Sequence, residues 1–163
     1  MQTTGKGMKG RVTIANMETL ARERRRLFER PEEPRALRIT RRDIELLRNI
    51  ARLRLASSAQ LAALDGGSAQ NVSRALLALF ENGYVERPVA QVASRLLHEG
   101  SRPTIYGLTR KGAALLRQHG ADVRRRLLDG IDKERGDGWG FIEHTVSIAE
   151  FWVSLEVEER PRE

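Results

Sequence analysis

The sequence predicts a mainly α-helical protein with a small β-hairpin: a winged helix-turn-helix followed by a C-terminal apolar helix. Three observations carry this prediction. Three capped helical stretches fall within about 43 residues, the last two separated only by Asp65-Gly66-Gly67. Two short alternating segments, at Tyr84 to Arg87 and at Ile105 to Leu108, follow the third helix and bracket a loop. A last helix, from about Phe141 to Glu158, is apolar over most of its circumference.

Met1 to about Arg38 has little to pack. Gly5, Gly7 and Gly10 precede a charged segment, ETLARERRRLFERPEEPRALR, interrupted by Pro31 and Pro34, in which Leu20, Leu27 and Phe28 form only a thin apolar stripe. It reads as a flexible basic arm that follows a phosphate backbone, or as a solvated leader with a marginal helix at Glu18 to Arg30. Thr40 then caps a helix from Arg41 to Arg54 whose Ile44, Leu46, Leu47, Ile50, Ala51 and Leu53 share one wide arc, with Arg41, Glu45, Arg48 and Arg52 opposite. Ser57 and Ser58 cap a short second helix, Ala59 to Leu64, that turns Leu61 and Leu64 inward.

Ser68 to Arg87, SAQNVSRALLALFENGYVER, is the stretch around which the rest is arranged. Ser68 is an N-cap, Gly83 a C′ residue, and Tyr84-Val85-Glu86-Arg87 alternates as a half-buried strand does. At about 100° per residue, Val72, Leu76, Leu79 and Phe80 lie on one arc, while Gln70, Asn71, Arg74, Ala78 and Glu81 lie on the other. The free face opens with two amides and a guanidinium, the groups shaped for bidentate contact with adenine and guanine edges. A solvated face of an ordinary amphipathic helix is the plainer alternative. A looser run, PVAQVASRLLHEGSRPT, forms the wing, with Arg87, Arg95 and Arg102 in or beside it and a turn at Gly100-Ser101. Thr109 caps a fourth helix, Arg110 to His119, closed by Gly120, and Ala113, Leu115 and Leu116 return it to the core.

Ala121 to Ile131 reads as a short helix bearing Arg124, Arg125 and Arg126, and KERGDGWG then breaks the chain. On the last helix, Glu143, Ser147, Glu150 and Ser154 occupy a strip of only about 60°. The remaining arc needs cover on more than one side. The winged helix supplies one; a second copy of the chain or another protein supplies the other, through Val146, Ile148, Phe151, Trp152 and Leu155. Of the two large rings, about 100° apart, one is expected to face the winged helix and the other the partner.

Charge follows the same division. The formal net charge is +7, carried by 25 Arg and 4 Lys, and the pI is near 10.7. Residues 132–163 hold 9 acidic and 4 basic side chains, leaving a strongly basic residue 1–131 segment. A basic body points to an anionic partner, although arginine abundance also arises from codon usage. The chain has no cysteine, which excludes disulfides, thiolate metal sites and cysteine nucleophiles. No apolar run approaches a membrane span and no signal-peptide core is present, so a soluble cytoplasmic protein is expected.

No catalytic constellation is legible. His98, His119 and His144 are widely separated, without an HExxH pattern, and His144, between Ile148, Phe151 and Leu155, reads as a buried structural histidine. Asp137 and Glu143 lack the third partner a metal nuclease needs, and Tyr84 and Tyr106 read as packed rings in the wing strands. Neither a cofactor, nor a metal, nor enzymatic activity is expected.

Four segments resemble the replication-relaxation family of winged-helix proteins of bacterial plasmids and mobile elements: TRRDIELLRNIARLRLASSAQLAAL, SRALLALFENGYVER, RPTIYGLTRKGAALL and, most particular, HTVSIAEFWVSLE. They cover about Ile39 to Glu156. The resemblance implies DNA binding connected with plasmid replication, DNA relaxation or their control.

The chain therefore divides into a basic arm (1–38), a DNA-binding winged helix-turn-helix (39–120) and a helical extension for dimerisation or partner binding (121–163). Gln70, Asn71 and Arg74 are expected near base edges, Ser68 and Ser73 near phosphate or packing, and Arg95, Arg102, Arg41 or Arg42 on the backbone of double-stranded DNA. The alternative is an adaptor whose winged helix and last helix dock a replication or conjugation protein. A nuclease or relaxase in its own right is a third possibility that no residue cluster supports.

Overall fold

The computed structural model describes residues 27–92, 102–123 and 138–159. In chain order these form α1 (Arg41–Leu53), β1 (Leu55–Ser57), α2 (Ser58–Asp65), α3 (Ala69–Glu81), β2 (Val85–Glu86), β3 (Ile105–Leu108), α4 (Arg110–Gln118) and α5 (Trp139–Glu158). The protein is mainly helical with a small antiparallel sheet of order β1-β3-β2, the element order of a winged helix. The expected short helix at Ala121 to Ile131 and the centre of the wing lie outside the described residues.

Reciprocal caps start the first two helices. The Thr40 hydroxyl accepts from Asp43 N while the Asp43 carboxylate accepts from Thr40 N, and Ser57 and Gln60 repeat the exchange at α2. Ser68 differs from expectation: its backbone is extended as an N-cap requires, yet its side chain makes no cap hydrogen bond. Asn71 stands where Asp43 and Gln60 stand in the other two boxes, and α3 begins without the reciprocal pair.

The hairpin forms as expected, with Val85 opposite Leu108 and Glu86 opposite Gly107. A third strand was not anticipated. Leu55 and Ala56, for which no strand was expected, and Ser57, expected only as a cap, pair with β3, opposite Gly107, Tyr106 and Ile105. Arg54, with φ 68°, ends α1 and redirects the chain into that strand, so α1 stops at Leu53 rather than Arg54. Continuing the β2–β3 register would set Pro88 opposite Ile105, but proline has no N–H to donate. The buried Gln91 amide replaces it: its Nε2 donates to Ile105 O at 3.0 Å and its Oε1 accepts from Ile105 N at 2.9 Å.

The core is aliphatic. Leu46, Leu47, Ile50, Leu61, Leu76, Leu79 and Leu116 are almost wholly buried, and Val72 and Phe80 complete the inward face of α3. Each such side chain contributes about 1.5–3 kcal/mol relative to exposure. α4 is held close to the turn before β2: Thr109 Oγ1 donates to Gly83 O and Tyr84 O, and a Cβ at Gly112 would overlap the Tyr84 carbonyl.

α5 packs Ile142, Thr145, Ala149 and Val153 against α1, α2 and β1. Gln60 Nε2 donates to Val146 O and to the Glu150 carboxylate, Arg52 pairs with Glu156 at 2.6 Å, and the Arg54 guanidinium lies 5.7 Å from the Phe141 ring. Among the described residues no helix is long and apolar enough to cross a membrane.

Candidate nucleic-acid interface

The third helix presents the free face its spacing predicts. Ser68, Gln70, Asn71, Ser73 and Arg74 are all exposed, while Val72, Leu76, Leu79 and Phe80 anchor the opposite side. Gln70, Asn71 and Arg74 make no side-chain hydrogen bond or ion pair within the described residues, so their donors and acceptors face water. An α-helix held this way, with a polar first half and an apolar back, has the dimensions of a major groove reader.

Beside it the structure assembles a notch of about 320 Å³ where α2, α3 and the start of β3 meet. Ser58, Ser73 and Thr104 bring hydroxyls to it, Arg102 brings a guanidinium, and the alanines of α2 and α3 keep it open. Two residues the sequence set apart by 29 positions, Ser73 and Arg102, thus share one wall. Ser58 and Thr104 were missed; their only signal in the sequence is proximity to a cap and to a strand start. Hydroxyls around one guanidinium suit a phosphate oxygen, which accepts from both.

On the other side of the α2–α3 turn, Arg42 donates to Asp65 at 3.1 Å, and Arg41 is exposed beside it. Arg42 therefore braces the turn, whereas Arg41 makes no side-chain hydrogen bond or ion pair among the described residues. Arg95 lies outside the described residues, as do His98, Asp137 and the arginine run at 124–126.

Arg87, expected in or beside the wing loop, directly follows β2 and is engaged by aromatic rings. Its guanidinium stacks 4.3 Å from the Phe80 ring and 5.2 Å from the Tyr106 ring and donates to Tyr106 Oη at 3.0 Å. It is a structural cation behind α3. Arg30 supports the same corner, donating to Phe80 O and Val85 O, and Asn82 donates to Arg35 O. The last residues before α1 are thus fastened to the C-terminal end of the third helix.

On α5 the expected partner face is partly redistributed. Ile148, Phe151, Trp152 and Leu155 are exposed, with Phe151 and Trp152 at 62% and 56%. Both rings point outward, edge to face at 5.8 Å, where one was expected to turn inward. Val146 is half-buried and held through its carbonyl to Gln60. His144 is exposed rather than buried, because the arc it shares with Ile148 and Phe151 is the uncovered one. Among the described residues no cluster of His, Asp and Glu could hold a metal ion.

Fold and face together define the class, a mainly helical, winged-helix-like protein whose third helix is exposed among the described residues and carries a notch lined by hydroxyl residues and Arg102 at its flank. The chain belongs to the replication-relaxation family, whose sequence signature matches residues 47–163. No curated protein and no solved structure matches it. Membership supports the expected link with plasmid or mobile-element replication and relaxation.

Proposed function

We propose that this protein is a non-enzymatic, cytoplasmic, sequence-preferring binder of double-stranded DNA that acts as a homodimer in the replication or relaxation of a plasmid or mobile element, or in its transcriptional control. The observation that carries this reading is the exposed Gln70-Asn71-Arg74 face of α3 beside the Ser73–Arg102 notch. The helix enters the major groove, the amides and Arg74 meet base edges, and the notch holds a backbone phosphate. Dimerisation is supported by the five exposed apolar side chains of α5, Ile148, Phe151, Trp152, Leu155 and Val157, an apolar face left in water. A two-fold pair presents two α3 helices to one duplex, with half-sites about 10 base pairs apart or a multiple of that.

The deciding experiment is duplex affinity measured across salt concentration. A log–log slope of about −0.9 per phosphate contact is expected, and Arg102→Ala should make that slope shallower by about 0.9 while weakening all duplexes alike. An unchanged slope would take the notch out of the interface. Negligible binding at low salt would favour the adaptor, for which the outward Phe151–Trp152 pair is the specific support.

Specificity divides differently. Arg74→Ala is expected to cost about 1–3 kcal/mol on the preferred site and to relax base preference at one position, because a bidentate arginine discriminates by that much. A parallel fall in specific and non-specific affinity would make Arg74 a phosphate contact and reverse the orientation of α3.

A further inference from the structure

A second groove, of about 310 Å³, runs on the other side of β3, between the wing stem and α5. Its α5 wall is the polar strip that composition alone left unexplained. Trp139, Glu143, Val146 and Glu150 follow one another along it, and Ile105 and Pro103 face them. The groove has the volume of a small-molecule site and a mainly apolar lining.

Its hydrogen-bonding capacity is unbalanced. The two buried amides in the wall are spent: Gln91 on both polar groups of Ile105, and Gln60 on Ser57 N, Val146 O and Glu150. The Ser147 hydroxyl donates to Glu143 O at 2.8 Å. What remains along α5 is acceptor. The Glu143 carboxylate has no side-chain partner among the described residues, and Glu150 receives only the 2.7 Å bond from Gln60. A ligand that satisfies this wall must donate. Among the described residues that line the groove, two carboxylates also stand against one guanidinium, that of Arg102, in a chain whose formal charge is +7.

Spacing narrows the class. Glu143 and Glu150 are seven residues apart on one helix, so their Cα atoms are separated by about 10 Å along its axis. Between them lies the apolar floor of Ile105 and Val146, and beside Glu143 stands the Trp139 ring, a surface that attracts cations. We infer that the groove binds a linear organic polycation, an apolar methylene chain carrying an ammonium group toward each end. One ammonium meets Glu143 and the face of Trp139, the other meets Glu150 as positioned by Gln60, and the chain lies on Ile105 and Val146.

The test needs no DNA, so its outcome is independent of the reading above. Trp152→Phe leaves Trp139 as the sole tryptophan, and its emission is followed while the full chain is titrated at low ionic strength with 1,8-diaminooctane, ethylenediamine and butylamine. The diaminooctane is expected to give a saturable change. Ethylenediamine, too short to reach both carboxylates, and butylamine, with one charge, should bind at least about tenfold more weakly because two-point attachment is lost. Glu143→Gln should weaken 1,8-diaminooctane by about tenfold, the loss of one charge-assisted contact, whereas Glu158→Gln, outside the groove, should change nothing. Equal affinity for the three amines, indifference to Glu143→Gln, an equal loss on Glu158→Gln, or the absence of saturation would each overturn the proposal.

Discussion

Replacing Phe151 and Trp152 together by alanine is expected to convert a dimer of this chain into a monomer while leaving the fold intact. Both rings are more than half exposed, so neither supports the core of its own chain. In a two-fold contact each ring is enclosed by the other copy, and its removal should cost about 3 kcal/mol. Sedimentation of both forms over a range of concentrations checks this, with the far-ultraviolet spectrum as control. Point substitution is the right tool because Ile142, Ala149 and Val153 on the same helix are buried against the winged helix, and truncating α5 would expose that core. Two monomeric forms at every concentration would leave the face for a different protein and strengthen the adaptor reading.

Gly112→Ala should be among the most damaging single methyl additions available to the described residues. The new Cβ would press on the Tyr84 carbonyl and on the Leu108 side chain, and both belong to the hairpin. α4 cannot retreat cheaply, since Thr109 fastens its first turn to Gly83 and Tyr84 and Leu116 is buried beneath it. A loss of about 3 kcal/mol is expected, at the upper end for overpacking. Denaturant unfolding would show it as a lower midpoint at unchanged slope. A change within about 0.5 kcal/mol would mean that α4 slides along the hairpin freely.

How much of this was legible in the sequence depends on whether the signal was local. The buried arc of α3 was readable because it rests on a single helical period, and β2 and β3 because β-forming residues there are set off by Gly83 before the one and by the Thr109 cap after the other. β1 was not, because three residues between two helices are too few to show a period, and their partner lies about 50 positions away. The packing role of Arg87 was hidden for a similar reason. Its neighbours in sequence mark it as part of a basic loop, whereas its aromatic partners, Phe80 and Tyr106, meet only after the hairpin closes. On α5 the sequence correctly left one arc uncovered, yet divided the two large rings between sides. The inward side is instead filled by Ile142, Thr145, Ala149 and Val153, side chains small enough to let α5 approach α2 and β1 closely. The notch at α3 joined two residues the sequence had singled out, but the cavity required α2 and β3 to be placed first.

The side-chain rung at Gln91 has a bearing on how this protein behaves in company. A two-residue strand beside a four-residue one would ordinarily leave a donor and an acceptor of the longer strand open, an invitation to any extended segment of another molecule. Here Pro88 has no N–H to offer an incoming strand, and the open pair on Ile105 is already occupied by the Gln91 amide. The end of β3 that outruns β2 is thus closed to strand addition, and an extended segment of another molecule finds no open pair there.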